Sequence, residues 1–264
     1  MFFQFNTKEI SLSKKSREER KASKKARHQT AWKDNVIPLK DHFSLKEIQP
    51  LTDKQCEAFE EYYKGKNLIL YGTAGTGKTF LSIYLALKDI YENQKHNKIV
   101  IIRSAVPSRD LGFMPGNMKE KSSYFEQPYH QIMGNLYNRD DAYTILKNKH
   151  IVEFMTTSYV RGITLDNTII IVDEIQNFTE EELHSVMTRV GKGSKIVLCG
   201  DLSQNDLKKE KTGFGLFVKI FKKMNSFSMV EFGIEDIVRS GLVKEYIIAR
   251  NKVENQNNIP LLRD

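Results

Sequence analysis

The chain is poor in the residues that stabilise secreted or membrane proteins. Cys56 and Cys199 are its only cysteines among 264 residues, and neither sits in a spacing that builds a disulfide framework or a thiolate metal site. It has one tryptophan and six prolines. No apolar run approaches the roughly 20 residues needed to span a bilayer. The opening Met1–Phe5 is too short for a signal sequence, and no basic stretch precedes it. These absences lead us to expect a reduced, cytoplasmic setting with no membrane partner. The remaining composition, 40% hydrophobic and 28% charged, is that of an ordinary globular protein.

Charge is present but unevenly spread. The net charge is +8. Residues 1–33 hold ten Lys/Arg against three Glu, a net +7, so the other 231 residues carry only +1. The basic arm, taken as residues 1–40, admits two readings. It is a solvated, partly disordered or helical segment, or an arm that gains counterion-release free energy on a polynucleotide backbone. Trp32 either stacks on a base there or docks onto the core.

From about residue 41 to 264 the pattern is that of one α/β domain. Apolar, β-rich runs stand at 67–71, 98–102, 151–155, 168–172, 195–199 and 228–232, with helix-compatible segments at 53–64, 78–93, 140–148, 179–190 and 213–223. The central runs are apolar on consecutive residues, as parallel strands buried on both faces are. A three-layer parallel sheet of the P-loop type follows. The connection from Arg103 to His150 is too long for a plain crossover. Pro107, Pro115 and Pro128 punctuate it, and it is expected to be an ordered insertion.

The densest chemical signal is Gly72-Thr73-Ala74-Gly75-Thr76-Gly77-Lys78-Thr79, which fits G-x-x-x-x-G-K-[ST] between an apolar strand and a helix. Its glycines permit close backbone approach to a phosphate. The backbone N–H groups and the start of the following helix, with Phe80 in its first turn, favour an anion. Lys78 is placed to reach the β- and γ-phosphates and Thr79 to hold Mg²⁺. The expected ligand is therefore ATP with Mg²⁺.

A second strand, Thr168–Val172, delivers Asp173 and Glu174 to the same edge. Asp173 suits a magnesium shell, and Glu174 suits the base or positioning group for an attacking water. The competing reading, a pair that caps the next helix, is weakened because Thr179 already provides a cap. A third strand ends in Gly200, Asp201 and Gln204, where Gln204 is placed to sense the γ-phosphate. Gln55, in a helix opened by Thr52 or Asp53, either pairs with an adenine edge or is an exposed helix residue.

Gln55, the P-loop, Asp173-Glu174-x-Gln176 and Gly200-Asp201-x-x-Gln204 together resemble the first ATPase domain of superfamily-one helicases. Further motifs are similar to those of the PhoH family: Ile102-Arg103-Ser104-Ala105-Val106-Pro107, Leu111–Gly116, Glu120-Lys121, Pro128-Tyr129, Tyr159–Leu165, Met187–Lys195 and Asp236–Ser240. The resemblance runs from about Leu51 to Ala249. Three positions depart from it: Ser104 stands for Pro, Ile175 for Ala and Ser240 for His. It implies a RecA-like core in a cytoplasmic ATPase, associated with RNA or single-stranded DNA.

The sixty residues after Gln204 are too few for a second doubly wound domain. A solitary core is therefore expected to form a homo-oligomer, a hexameric ring with ATP between subunits. Arg239 is the first candidate for the phosphate-directed arginine, with Arg189 and Arg161 behind it. Arg103 is a candidate phosphate contact, and Phe113, Tyr124, Phe125 and Tyr129 are candidates for base stacking or for the core. The resulting expectation is an ATPase that remodels RNA or single-stranded DNA. The alternative is an oligomeric binding module switched by ATP with little turnover.

Overall fold

A computed structural model describes residues 43–104, 118–201 and 214–257. Two units are distinguished, 1–44 and 45–264, and everything below concerns the second. The basic arm, the Leu111–Gly116 segment with Phe113, and Gln204 lie outside the described residues.

The elements in chain order are α1 (Asp53–Tyr63), β1 (Asn67–Gly72), α2 (Lys78–Asn93), β2 (Lys98–Arg103), α3 (Met118–Tyr137) and α4 (Ala142–Asn148). Then come β3 (Val152–Thr156), β4 (Thr168–Val172), α5 (Glu180–Met187), β5 (Lys195–Gly200), α6 (Phe214–Phe221), β6 (Phe227–Phe232) and α7 (Gly241–Asn257). The six strands form one sheet in the order β3-β2-β4-β5-β1-β6, and every pairing is parallel. All six expected strands are present within about a residue of the expected limits. The sequence did not single out α3, where Pro128 interrupts the helical signal, or α7.

Consecutive apolar residues are explained by helices on both faces. Ile170, Val172, Ile196 and Leu198 pack with Phe178, Leu183, Val186, Phe217 and Phe221 on the face covered by α5 and α6. Helices α1 to α4 pack against the other face, and Ile169, Ile171, Val197 and Cys199 are buried there as well. All five residues of β4 are buried, so the three-layer α/β arrangement holds.

Topology places the site. Strand β5 lies between β1, which ends in the P-loop, and β4, which ends in Asp173 and Glu174. The chain leaves β1 toward β2 on one side and later returns past it to β6 on the other. This divergence opens a crevice at the carboxyl ends of the strands, where open α/β sheets bind ligands.

Candidate functional site

The P-loop is built as its glycines require: φ is 117° at Gly72, 77° at Gly75 and 84° at Gly77. Gly72 also faces a neighbour, since a Cβ there would stand 2.2 Å from the Phe232 carbonyl oxygen. The same oxygen accepts from the Thr73 N–H at 2.9 Å, and Val238 N–H donates to the Gly75 carbonyl at 3.1 Å. The segment after β6 therefore straps the loop from outside.

Lys78 opens α2 and turns its ammonium back into the loop. It donates to the carbonyls of Gly72 at 3.0 Å and Thr73 at 2.7 Å, and to Thr76 Oγ1 at 3.3 Å. Thr76 Oγ1 in turn donates to the Thr73 carbonyl at 3.0 Å. Burial lowers the Lys78 pKa, opposed by the nearby Asp201, Cys199, Glu174 and Asp173. A partly desolvated ammonium satisfied only by loop oxygens is ready to exchange them for the oxygens of an anion.

Across the crevice, Thr79 Oγ1 donates to Asp173 Oδ1 at 2.7 Å, bringing a hydroxyl and a carboxylate from two elements together. Asp173 Oδ2 accepts from the Tyr129 hydroxyl at 2.9 Å. Burial, then the Asp173 charge, pushes the Tyr129 phenol far above its usual range, so it remains a donor. Glu174 adopts a left-handed conformation, φ 57° and ψ 48°, which is uncommon for a side chain of this kind and costs on the order of 1 kcal/mol or more. Burial, then Asp173, raises its pKa, against Arg103, Gln176 and Lys78.

Gln176 ties two strand ends together. Its amide nitrogen donates to Glu174 Oε2, and its carbonyl accepts from the Asp201 N–H at 2.9 Å. Ile175, which departs from the family pattern, packs where a Cβ on Gly200 would come within 2.4 Å of its Cγ1; the larger side chain fits because position 200 is glycine. Ser104, another departure, is buried and donates to Glu182 at 3.1 Å and 3.2 Å. Glu182 also completes the Thr179 capping box of α5.

Lys78, Thr79, Asp173, Glu174 and Asp201 line a cavity of about 460 Å³. Among the expected site residues, Gln55, Ala74, Gly75, Gly77, Lys78, Thr79, Phe80, Asp173, Glu174 and Arg239 line it, and Gly72, Thr73 and Thr76 do not. Gln55 is only 3% exposed. It donates to the Thr76 carbonyl at 3.0 Å and accepts from the Leu51 N–H at 2.8 Å. It is therefore neither an exposed helix residue nor free to give an adenine its whole amide.

Arg239 lies over its own chain's loop: a Cβ at Gly75 would stand 2.9 Å from Arg239 Cγ. Arg161 and Arg189 do not line the cavity. Of the candidate polynucleotide contacts, Tyr129 follows its core reading and Arg103 is turned inward. Tyr129 is fully buried, 5.8 Å from the Phe154 ring. The half-buried Arg103 guanidinium lies 5.7 Å over Phe125 and bears on Tyr129, Asp173 and Glu174. Tyr124 is 60% exposed. Sequence reading missed Tyr129 as a site residue and assigned Gln176 no contact, because Tyr129–Asp173 and Gln176–Asp201 are brought close only by folding.

The family model described as PhoH-like protein matches residues 47–251. A PhoH-like protein of Bacillus subtilis is 36% identical over 69% of this chain and 57% of its own length. One of Synechocystis is 31% identical over 79% of this chain and 63% of its own. The chain thus spans 57% to 63% of the length of these two relatives. Among solved structures, the large terminase of a thermophilic bacteriophage is similar at TM-score 0.45 and 14% identity, over 75% of this chain and 50% of that one. The Pif1 helicase of Candida albicans is similar at TM-score 0.35 and 14% identity, over 70% and 40%. Because the family match runs from before α1 into α7, across the whole sheet and both walls of the cavity, the chain belongs to the PhoH-like protein family.

Proposed function

We propose that the chain is a magnesium-dependent ATPase that couples hydrolysis to binding or remodelling of RNA or single-stranded DNA in the cytoplasm. One observation carries the reading: Lys78 and Glu174 line the same cavity, the ammonium held by the P-loop and the carboxylate on a strained backbone. A site that only bound ATP would need the first and have no use for the second.

The loop N–H groups and Lys78 would bind the phosphates, Lys78 giving up its bonds to Gly72 and Thr73. Thr79 and Asp173 fit Mg²⁺, which takes oxygen ligands and keeps several waters when the protein supplies only one or two. Bound there, Mg²⁺ would neutralise charge on the phosphoryl oxygens. Glu174 would accept a proton from the attacking water, and its raised pKa strengthens it as a base while it stays ionised. Gln176 holds that carboxylate and links it to Asp201. Gln204 is assigned to the γ-phosphate.

Gln55 retains one amide hydrogen and one lone pair after its two internal bonds, enough for a single-edged adenine contact. We assign Arg239 to the nucleotide of its own chain, since its stem rests on its own Gly75; the expectation that it reaches a neighbour's nucleotide loses its support. Assembly into a hexameric ring draws on α7, whose Leu242, Tyr246 and Val253 share one face and are exposed. Among the described residues no helix is long and apolar enough to cross a membrane.

The test is ATP turnover with and without single-stranded RNA or DNA, for the wild type and Glu174→Gln. The proposal expects stimulation by strand and near-complete loss in the variant. Equal, strand-insensitive turnover in both proteins would leave an ATP-switched binding module instead.

A further inference from the structure

Asp173 is gripped at both oxygens, by two different elements. Thr79, in the first turn of α2, donates to Oδ1 at 2.7 Å, and Tyr129, on α3, donates to Oδ2 at 2.9 Å. The Asp173 backbone N–H is committed to the Ile102 carbonyl at 2.9 Å. What remains adjustable is the terminal torsion of the carboxylate, which is broad and two-fold when nothing holds it. The Tyr129 hydroxyl removes that freedom. With Oδ2 occupied by a fully buried phenol, Oδ1 is the oxygen left beside Thr79.

We propose that Tyr129 is a positioning residue for the metal-holding carboxylate. It acts through Asp173 and makes the grip on Mg²⁺ depend on how α3 is seated. The inference rests on the reading of Asp173 as a magnesium group. Tyr129 does not line the cavity, so it would touch neither nucleotide nor metal. Its effect is on which carboxylate oxygen is offered, and at what angle. Its ring is fixed against Phe154 of β3, and α3 also packs on α4. A shift of α3 against β3 would therefore be passed to Asp173 through one hydrogen bond.

The experiment uses the full chain and Tyr129→Phe, which keeps the ring and removes the hydroxyl. Mg²⁺ is titrated at fixed ADP while the melting temperature is followed, and separately at fixed ATP while turnover is followed. Partners that orient a metal ligand are typically worth 10- to 100-fold in metal affinity or activity. The expected result is a roughly tenfold higher half-saturating Mg²⁺ in both titrations, unchanged binding of ADP in the absence of Mg²⁺, and recovery of turnover at saturating Mg²⁺. In an Asp173→Asn background, Tyr129→Phe should add nothing, because the interaction it serves is already gone.

An unchanged Mg²⁺ half-point overturns the proposal. So does a loss that is equal at every Mg²⁺ concentration and matched by weaker metal-free ADP binding, which would make Tyr129 a wall of the core only. If Mg²⁺ adds no increment to the wild-type melting shift, the metal reading of Asp173 fails and takes this inference with it. An increment that Tyr129→Phe leaves intact overturns the inference alone.

Discussion

The two edges of the sheet bury carboxylates in opposite ways. At the amino edge, Asp89 of α2 accepts from the Tyr62 hydroxyl at 3.2 Å. His96 Nδ1 stands 3.0 Å from the same carboxylate, at ion-pair distance although off the line of a good hydrogen bond. Lys195 begins β5 with its ammonium 3.7 Å above the Tyr62 ring and donates to the Tyr62 carbonyl at 2.8 Å. At the carboxyl edge, Asp173, Glu174, Asp201 and Lys78 converge on an open cavity. There burial raises the Glu174 pKa and lowers that of Lys78. One edge surrounds its buried charge with partners and contributes stability. The other holds carboxylates beside each other at the cavity, one of them on a left-handed backbone, the arrangement that the proposed metal–nucleotide site calls for.

The largest effect that would break this contrast is at Glu174. Glu174→Gln should lower turnover by about 10²- to 10⁴-fold, the range for loss of a general base, without lowering the melting temperature of the nucleotide-free protein. Phosphate release and calorimetry on one preparation check both halves; a variant that loses turnover and stability together would erase the distinction between the edges. Asp89→Asn should do the reverse. It would cost about 1–3 kcal/mol of stability, the penalty for a buried polar group left short of a partner, while the folded protein keeps its turnover. Urea midpoints beside kinetic constants test this.

The third prediction concerns pH. Because the folded Glu174 pKa is raised above its usual 4.5, its contribution to stability is fully present below that value. It is lost as pH rises through the raised folded value. In the nucleotide-free state the Gln variant should therefore gain on the wild type as pH climbs above 4.5. Denaturation midpoints measured across this window decide it. The smallest effect is at Thr179, whose capping box opens α5 just after the site. Thr179→Ala should cost about 1 kcal/mol with little change in turnover, read from thermal melts and steady-state rates.

The sheet was readable from the sequence because its four inner strands, β1, β2, β4 and β5, each carry four or more consecutive apolar residues, a pattern that survives without knowledge of the partners. The P-loop and the Asp173–Glu174 strand end were readable because each is contiguous. Helix α3 escaped because Pro128 withdraws a backbone donor and its apolar residues follow no clean period. Arg103 was read as a candidate phosphate contact and Tyr129 as a candidate for base stacking or for the core, since aromatic side chains near a long insertion fit either place. Only the fold sets Tyr129 against Phe154 of β3 and Arg103 over Phe125 of α3. Gln55 was visible as a polar residue before β1, but its commitment to Leu51 and Thr76 was not.

By itself the sequence determined the layers, the phosphate-binding loop and the carboxylates set against it, because apolar runs and local spacings act over a few residues and need no distant partner. Tertiary structure alone decided which oxygens those carboxylates offer, that Tyr129 and Gln176 hold them, and that Arg239 lies over its own loop. Apart from the local Gln176–Glu174 bond, those contacts join residues tens of positions apart, and their geometry depends on the order of strands in the sheet, which no local pattern encodes.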